Sequence, residues 1–499
     1  MRVDTSITPA VTAIPVGSPP EETPAAGRPR RVPWAPAMTT LYAAAWMMFG
    51  WGAGQRRLTD NSFLWHLRTG HWILAHGVPR TDPYSFTAHG VPWVAQSWLA
   101  EVGYAGLDDL GGAVALRLFG AVVGLAVALL SFRLVLRLGR DRLVAAFLPL
   151  TAVVASGMFW SERPLFLGAL AMLALVWIVE VPGSRAGRHP LLTVPPLMWV
   201  WANVHGSFAL GFVYLALHVA GRWADGAPPW RGRERVLVRA TALAAALGFV
   251  NPYGYRLMWF PVHLLMRGGV LRVIVEWRSP DFRTPQGALF GAFLAVLIGV
   301  FALARRRPSR RDVLVLLPFV LMALWAQRNI ALAPLVALPI LARMVAREHA
   351  RSDEPRRLNW AFLAVIVAIG VAWTAAALPR PAFGPGGGYP IAAMRALDRD
   401  GLVGRRLLTT DAWAGYVIYR YWPRQHVFID DRYDMYPTGL AKEYFQVLGG
   451  APEWRSVLDR HHIDVVVWRK DAPISQYLAA DPAWRRIYVD DRAAAYVRR

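Results

Sequence analysis

Side chains able to move a proton or hold an anion fall in five short stretches of an otherwise apolar chain. The first, TDNSFLWHLRTGHWILAHGVPRTDPYSFT from Thr59 to Thr87, carries Asp60, His66, Arg68 and Asp82 directly after a hydrophobic segment. WSERP supplies Glu162 and Arg163, VIVEW supplies Glu276, and AQRN supplies Arg328. The last, TTDAWAGYVIYRYWPRQHVFIDDRYD from Thr409 to Asp434, brings Trp413, Tyr416, Asp430 and Arg432. A carboxylate within hydrogen-bond reach can take the proton of an attacking group. An arginine can grip a phosphate with two donors where a lysine offers a point charge. His66, His71 and His76 recur every five residues and do not share a helical face, which speaks against a dedicated histidine metal site. With no cysteine, thiolate chemistry is excluded. No phosphate loop, nucleotide fingerprint, GxSxG or HExxH motif occurs, which argues against an ATP-driven pump or a soluble-type hydrolase.

Composition tells which elements must position these groups. A chain of 499 residues that is 55% hydrophobic and only 18% charged is too apolar and too long for one soluble domain. Its net charge of +22 comes almost wholly from arginine, lysine occurring only at Lys442 and Lys470. The arginines cluster between apolar runs, a topology signal and not a phosphate-binding face, so nucleic acid is not an expected partner. Apolar runs of membrane-spanning length place about eleven transmembrane helices, at 34–54, 113–136, 143–160, 164–181, 190–204, 207–222, 236–251, 286–304, 311–328, 329–346 and 359–378. Residues 1–33, rich in Pro, Ala, Thr and Gly, read as a disordered cytosolic tail. With that tail inside, alternate loops carry arginine clusters, as at 133–142, 222–239, 305–311 and 343–357. All the candidate residues then lie on the outer side, as does everything after Leu378.

The first outer loop, 55–112, reads as two interfacial helices, Asn61 to His76 and Trp93 to Leu107, joined by a turn-rich link with Pro79, Pro83 and Pro92. Residues 379–499 alternate short apolar runs with helix-like segments: RRLLTT, QHVFIDD, IDVVVW, RRIYVD and AAAYVR. This predicts a small extracytoplasmic α/β domain.

A long first outer loop with an acidic residue just after the first span resembles the GT-C superfamily of membrane glycosyltransferases, which includes the catalytic subunits of oligosaccharyltransferases. TDNSFLWHLRTG is similar to their Asp-aromatic-His-x-Arg pattern, Glu162 of WSERP to a second acidic motif, and VIVEW to a Thr-Ile-x-Glu motif. DAWAGY resembles their Trp-Trp-Asp-Tyr-Gly segment with the order altered. The chain also looks like bacterial membrane proteins with WHLRTG, NPYG and FIDxRxDMY motifs. The resemblance implies that a sugar moves from a polyprenyl-phosphate donor to a glycan, lipid or protein acceptor at the bilayer surface. Asp60 would be the catalytic base, with Glu162 and Glu276 completing an acidic cluster. Asp60 and Glu162 would ligate Mg²⁺ or Mn²⁺ if the enzyme uses one. Arg68, Arg163 and Arg328 would hold the lipid phosphate, while His66, Asp82, Trp413, Tyr416, Asp430 and Arg432 would contact substrate.

Each residue also has a plainer reading. Asp60 suits a helix cap, Glu162 with Arg163 an ion pair at a helix end, Asp82 a turn, and Asp430 with Arg432 a solvated loop. Three functions stay open: transfer of a single sugar, oligosaccharyltransferase-like transfer of a pyrophosphate-linked glycan to protein, and a non-enzymatic transporter or scaffold for envelope glycans. Transport would call for charged or broken helices near the bilayer midplane, and the polar residues gather on one side instead.

Overall fold

The structure, a computed structural model, describes Met1 and residues 35–55, 58–347, 353–380 and 388–499. The tail expected at 1–33 lies, apart from Met1, outside them. Each of the eleven apolar segments contains a helix: Met38–Gly54, Trp98–Gly139, Arg142–Gly157, Leu165–Glu180, Pro190–Val204, Phe208–Ala224, Gly232–Leu247, Pro285–Leu303, Arg310–Trp325, Ala333–Met344 and Leu358–Ala377. Among the described residues, three of them are long and apolar enough to cross a membrane, Trp98–Gly139, Pro285–Leu303 and Leu358–Ala377. The expectation of about eleven helices of that length is therefore too high; the rest are shorter, down to 12 residues for Ala333–Met344. Prolines inside the short helices, at 149, 195, 196, 318 and 339, each remove a backbone hydrogen bond, and each helix runs on past them. Helix Ala333–Met344 is buried on all sides in the middle of the bundle, whereas Leu358–Ala377 buries only Asn359 and Ala377 and shows an apolar surface.

The first long loop departs from the expected pair of interfacial helices. Helix Asn61–His76 forms, but it buries Phe63, Leu64, Trp65, Leu67 and Ile73. Its tryptophans serve the C-terminal region: Trp65 donates to Asp431, and the Trp72 ring packs edge-on against Trp422 at 5.1 Å. The second helix starts at Trp98, not Trp93, because the Trp93 N–H bonds back to the Arg80 carbonyl at 2.9 Å and Thr81 bridges Pro92. From Trp98 it runs into the next span with one break, at Gly111 and Gly112, where Gly112 takes a positive φ of 55°.

Residues after 388 build a four-stranded mixed sheet from β1 (Leu407–Thr409), β2 (Val465–Arg469), β3 (Trp484–Val489) and β4 (Ala493–Arg498), in the order β1-β2-β4-β3. β1 pairs parallel to β2, with Leu408 opposite Val466; β4 runs antiparallel to both β2 and β3. QHVFIDD is not a full strand. Only Val427 bridges, to Leu407 of β1 and to Ser85 of the first loop, so the sheet edge is tied to the loop directly. Helix Asp411–Tyr421 lies against helix Asn61–His76 so closely that a Cβ on Gly415 would stand 2.2 Å from the Asn61 carbonyl oxygen. Only glycine allows that approach, and the Gly415 N–H donates to the Asn61 side chain at 2.9 Å.

Candidate active site

The start of helix Asn61–His76 fixes the centre of the site. Asp60 caps it, Oδ1 accepting from the backbone N–H of Ser62 at 2.9 Å and Phe63 at 3.3 Å. The same carboxylate receives Arg163 Nε, 2.8 Å from each oxygen. Arg163 comes from the short turn between helices Arg142–Gly157 and Leu165–Glu180, and its Nη1 reaches on to Glu276 Oε1. One guanidinium thus joins Asp60 to Glu276, which stands on the single helical turn Val275–Trp277. Arg163 holds the Glu276 carboxyl below the usual carboxylate range against the opposing effect of burial. Asp60 is therefore both cap and ion-pair partner, and it has less freedom to act as a proton acceptor than the sequence suggests.

Beside this chain of charges opens a cavity of about 350 Å³. Its polar lining includes Ser62, His66, Gln96, Arg163, His205, Glu276, Arg328, Asn329, Asp431, Arg432 and Asp434; its apolar lining includes Leu165, Leu210, Phe260, Leu264, Leu265, Met322, Trp325 and Leu332. Arg328 stacks its guanidinium over Trp277, 4.5 Å from the ring centroid, and is within range to interact electrostatically with Glu276. His66 faces Glu101 across 2.7 Å. Burial pushes His66 well down and Glu101 well up, so the pair is electrically neutral as a unit. Burial likewise lowers His205 to about 3, and its neutral ring bonds Ser207 at 2.8 Å.

Sequence reasoning missed the most titratable groups. Asp431 Oδ1 accepts from Trp65 Nε1 at 2.6 Å, and Oδ2 accepts from Ser62 Oγ and from Asn61 Nδ2, the latter at 3.2 Å. Burial lifts its carboxyl to about 7 despite the nearby Arg163, and burial also raises Asp434 to about 7. The sequence singled out DDRYD but chose its neighbours. Asp430 and Arg432 turn the other way, into a closed triad: Arg432 meets Asp430 Oδ2 at 2.6 Å and Asp82 Oδ1 at 2.7 Å, all three being buried. The guanidinium also lies 4.4 Å from the Trp93 ring centroid. Asp82, in addition, caps its own turn, accepting from the backbone of Tyr84 and Ser85. This triad locks the first loop to the C-terminal region; Asp82 and Asp430 are not exposed to substrate, although Arg432 borders the cavity. The signal for Asp431 lay in Asn61, Ser62 and Trp65, polar groups one and four positions apart at a helix start.

Other candidates have structural work. Arg68 bonds the Trp422 carbonyl at 3.3 Å and stacks on that ring, so it clamps the C-terminal region and does not line the cavity. Trp413 donates to the Gly388 carbonyl at 2.9 Å, and Tyr416 stacks on Tyr389 at 5.2 Å; both belong to the core of the C-terminal region. The aspartate of DAWAGY, Asp411, is held by the hydroxyls of Tyr433 and Tyr444. Glu162 lines a separate cleft of about 30 Å³ with Tyr104, Arg117 and Trp160, which Arg163 also borders. Among the described residues no group of three or more His, Asp or Glu is placed to hold a metal ion, and Asp60 is engaged by Arg163 and the helix start.

The sequence matches no family model and no curated protein. Among solved structures it is similar to the archaeal oligosaccharyltransferase AglB from Archaeoglobus fulgidus, in complex with an inhibitory peptide and a dolichol-phosphate. The TM-score is 0.50 at 11% identity, over 88% of this chain and 70% of that one. At such identity the likeness is one of fold alone.

Proposed function

We propose that this chain is a membrane glycosyltransferase that takes a glycan from a polyprenyl-phosphate or pyrophosphate carrier at the bilayer surface. The observation that supports this reading most is the mixed lining of the main cavity, which combines Arg163 and Arg328 with Leu, Phe, Met and Trp side chains. A polyprenyl phosphate combines the same two chemistries: an anionic head for the guanidiniums and an isoprenoid chain for the apolar side chains. In this reading the helical segments cross the membrane, the shorter ones inside the bundle, with the N-terminus cytoplasmic and the sheet domain on the outer side. The domains would be the tail 1–33, the membrane region 34–378 and the sheet domain 379–499.

In the transfer step the acceptor oxygen or nitrogen bonds to the anomeric carbon while the bond from that carbon to the carrier phosphate breaks. The phosphate leaves with the electron pair, its added negative charge met by Arg163 and Arg328. The acceptor's proton passes to a carboxylate. Asp431 suits that role better than Asp60, because it lines the cavity and burial lifts its carboxyl to about 7, whereas Asp60 is ion-paired to Arg163. Asp60 and Glu276 keep Arg163 ionised and in place.

The fold likeness supports the oligosaccharyltransferase-like form of this reaction, with a whole glycan moved to a protein acceptor. One observation favours the other form, transfer of a single sugar to an envelope acceptor: Trp413 and Tyr416, the aromatics of the segment that resembles a recognition motif, are buried in the core. Mass spectrometry of lipids that co-purify in mild detergent separates the two. A pyrophosphate-linked oligosaccharide supports the first and a polyprenyl-phosphate monosaccharide the second. Neither lipid, even after candidate donors are added, overturns the glycosyltransferase reading in favour of a scaffold or transporter.

A further inference from the structure

We infer that Arg163 stands where a divalent cation would otherwise bridge the acidic groups, and that the site works without a metal. The inference concerns the proposed transferase site, but it rests on the ion-pair geometry. Asp60 is the carboxylate nearest the start of the loop, and Glu276 comes from a turn more than 200 residues later; Arg163 contacts both. A cation ligated by the two acids would have to sit where the guanidinium sits. Asp60 Oδ1 is committed further, since it takes the N–H groups of Ser62 and Phe63 as well as Arg163, while Oδ2 takes Arg163. Withdrawing that oxygen toward a metal would leave the first turn of the helix uncapped.

Charge leads to the same place. Asp60 and Glu276 are both ion-paired to Arg163, so replacing the guanidinium with a cation would break two charge-assisted contacts at once. Arg163 directly precedes Pro164, the N-cap of helix Leu165–Glu180, so its backbone position is set by that helix start. Loss of its side chain would reverse the balance. Asp60 and Glu276, with Asp431 close enough to feel both Asp60 and Arg163, would become an uncompensated group of oxygen ligands of the kind that Mg²⁺ and Mn²⁺ accept.

The test is Mn²⁺ binding to the full-length protein in detergent, read as loss of the free-ion signal in electron paramagnetic resonance, with no reliance on catalysis. The wild type should show no saturable site. Arg163→Ala should gain one site per chain, at least tenfold tighter than any wild-type binding, and the double variant Arg163→Ala with Asp60→Asn should lose it. A saturable wild-type site abolished by Asp60→Asn or Glu276→Gln would overturn the inference, as would a folded Arg163→Ala that takes up no Mn²⁺. If Arg163→Ala does not fold, the wild-type titration decides alone. Metal-free behaviour in a protein that carries no glycosyl lipid would leave this inference standing while the transferase reading fell.

Discussion

Replacing Asp431 by asparagine should remove activity and, at alkaline pH, make the protein more stable. Its carboxyl is lifted by burial from an ordinary 3.8 to about 7. A group whose folded value lies above its unfolded one binds more protons in the folded state, so stability falls as pH rises from about 4 to about 7 and the full cost is present above that. The lift corresponds to an upper limit of about 4 kcal/mol, lessened because the carboxyl reaches the cavity. Asparagine carries no charge and escapes this cost. It cannot, however, accept from Trp65, Ser62 and Asn61 at once, and losing part of that set costs roughly 1–3 kcal/mol. The variant should therefore melt at or above the wild-type temperature at pH 8 and below it near pH 4.5, where both side chains are neutral. Thermal unfolding in detergent micelles, followed by tryptophan fluorescence, measures both arms. Transfer should drop by about 10²- to 10⁴-fold, the usual worth of a positioned general base. A variant that melts well below wild type at pH 8, or that still transfers sugar at wild-type rate, would refute the assignment.

The remaining expectations concern groups around that carboxyl. Wild-type transfer should rise with pH through about 7 as Asp431 ionises, and a pH profile flat from 5.5 to 8 would contradict its role as proton acceptor. Asp60→Asn keeps a good helix cap but frees Arg163, so transfer should fall by roughly a hundredfold or more with circular dichroism unchanged. Arg432→Gln would strand Asp82 and Asp430 in the interior at a cost of about 3–5 kcal/mol, seen as a large loss of folded protein on size exclusion. Gly415→Ala should force helix Asp411–Tyr421 away from Asn61, costing roughly 1–3 kcal/mol and exposing the C-terminal region to limited proteolysis.

Apolar runs made the helices legible, since few polar residues interrupt them and caps such as Asp60 mark where they start. The lengths were less legible. Ala333–Met344, enclosed by the bundle on every side, is a short helix inside a longer apolar run, and a count of apolar residues does not register where it ends. Of the site, Asp60, His66, Arg163, Glu276 and Arg328 were visible because each is an ionisable residue in a loop or at a helix end, and the structure brings them together. Asp430 and Asp431 could not be separated by type alone. Which of two adjacent aspartates faces a cavity depends on a backbone path set by Val427 on the sheet edge and by Arg432 between Asp82 and Asp430. Trp413 and Tyr416 misled for a related reason, because aromatic residues that resemble a recognition motif are also the ordinary material of a core.

The contact between Trp65 and Asp431 spans 366 positions of the chain. It implies an order of events during synthesis. Helix Asn61–His76 is made early, but the stretch that carries Asp431 is tied through Val427 to β1, whose sheet is completed only by β4 at Ala493–Arg498. A nascent chain would hold Arg163 and Arg328 before Asp431 existed, so the lining of the cavity is complete only once the C-terminal region has docked on helix Asn61–His76.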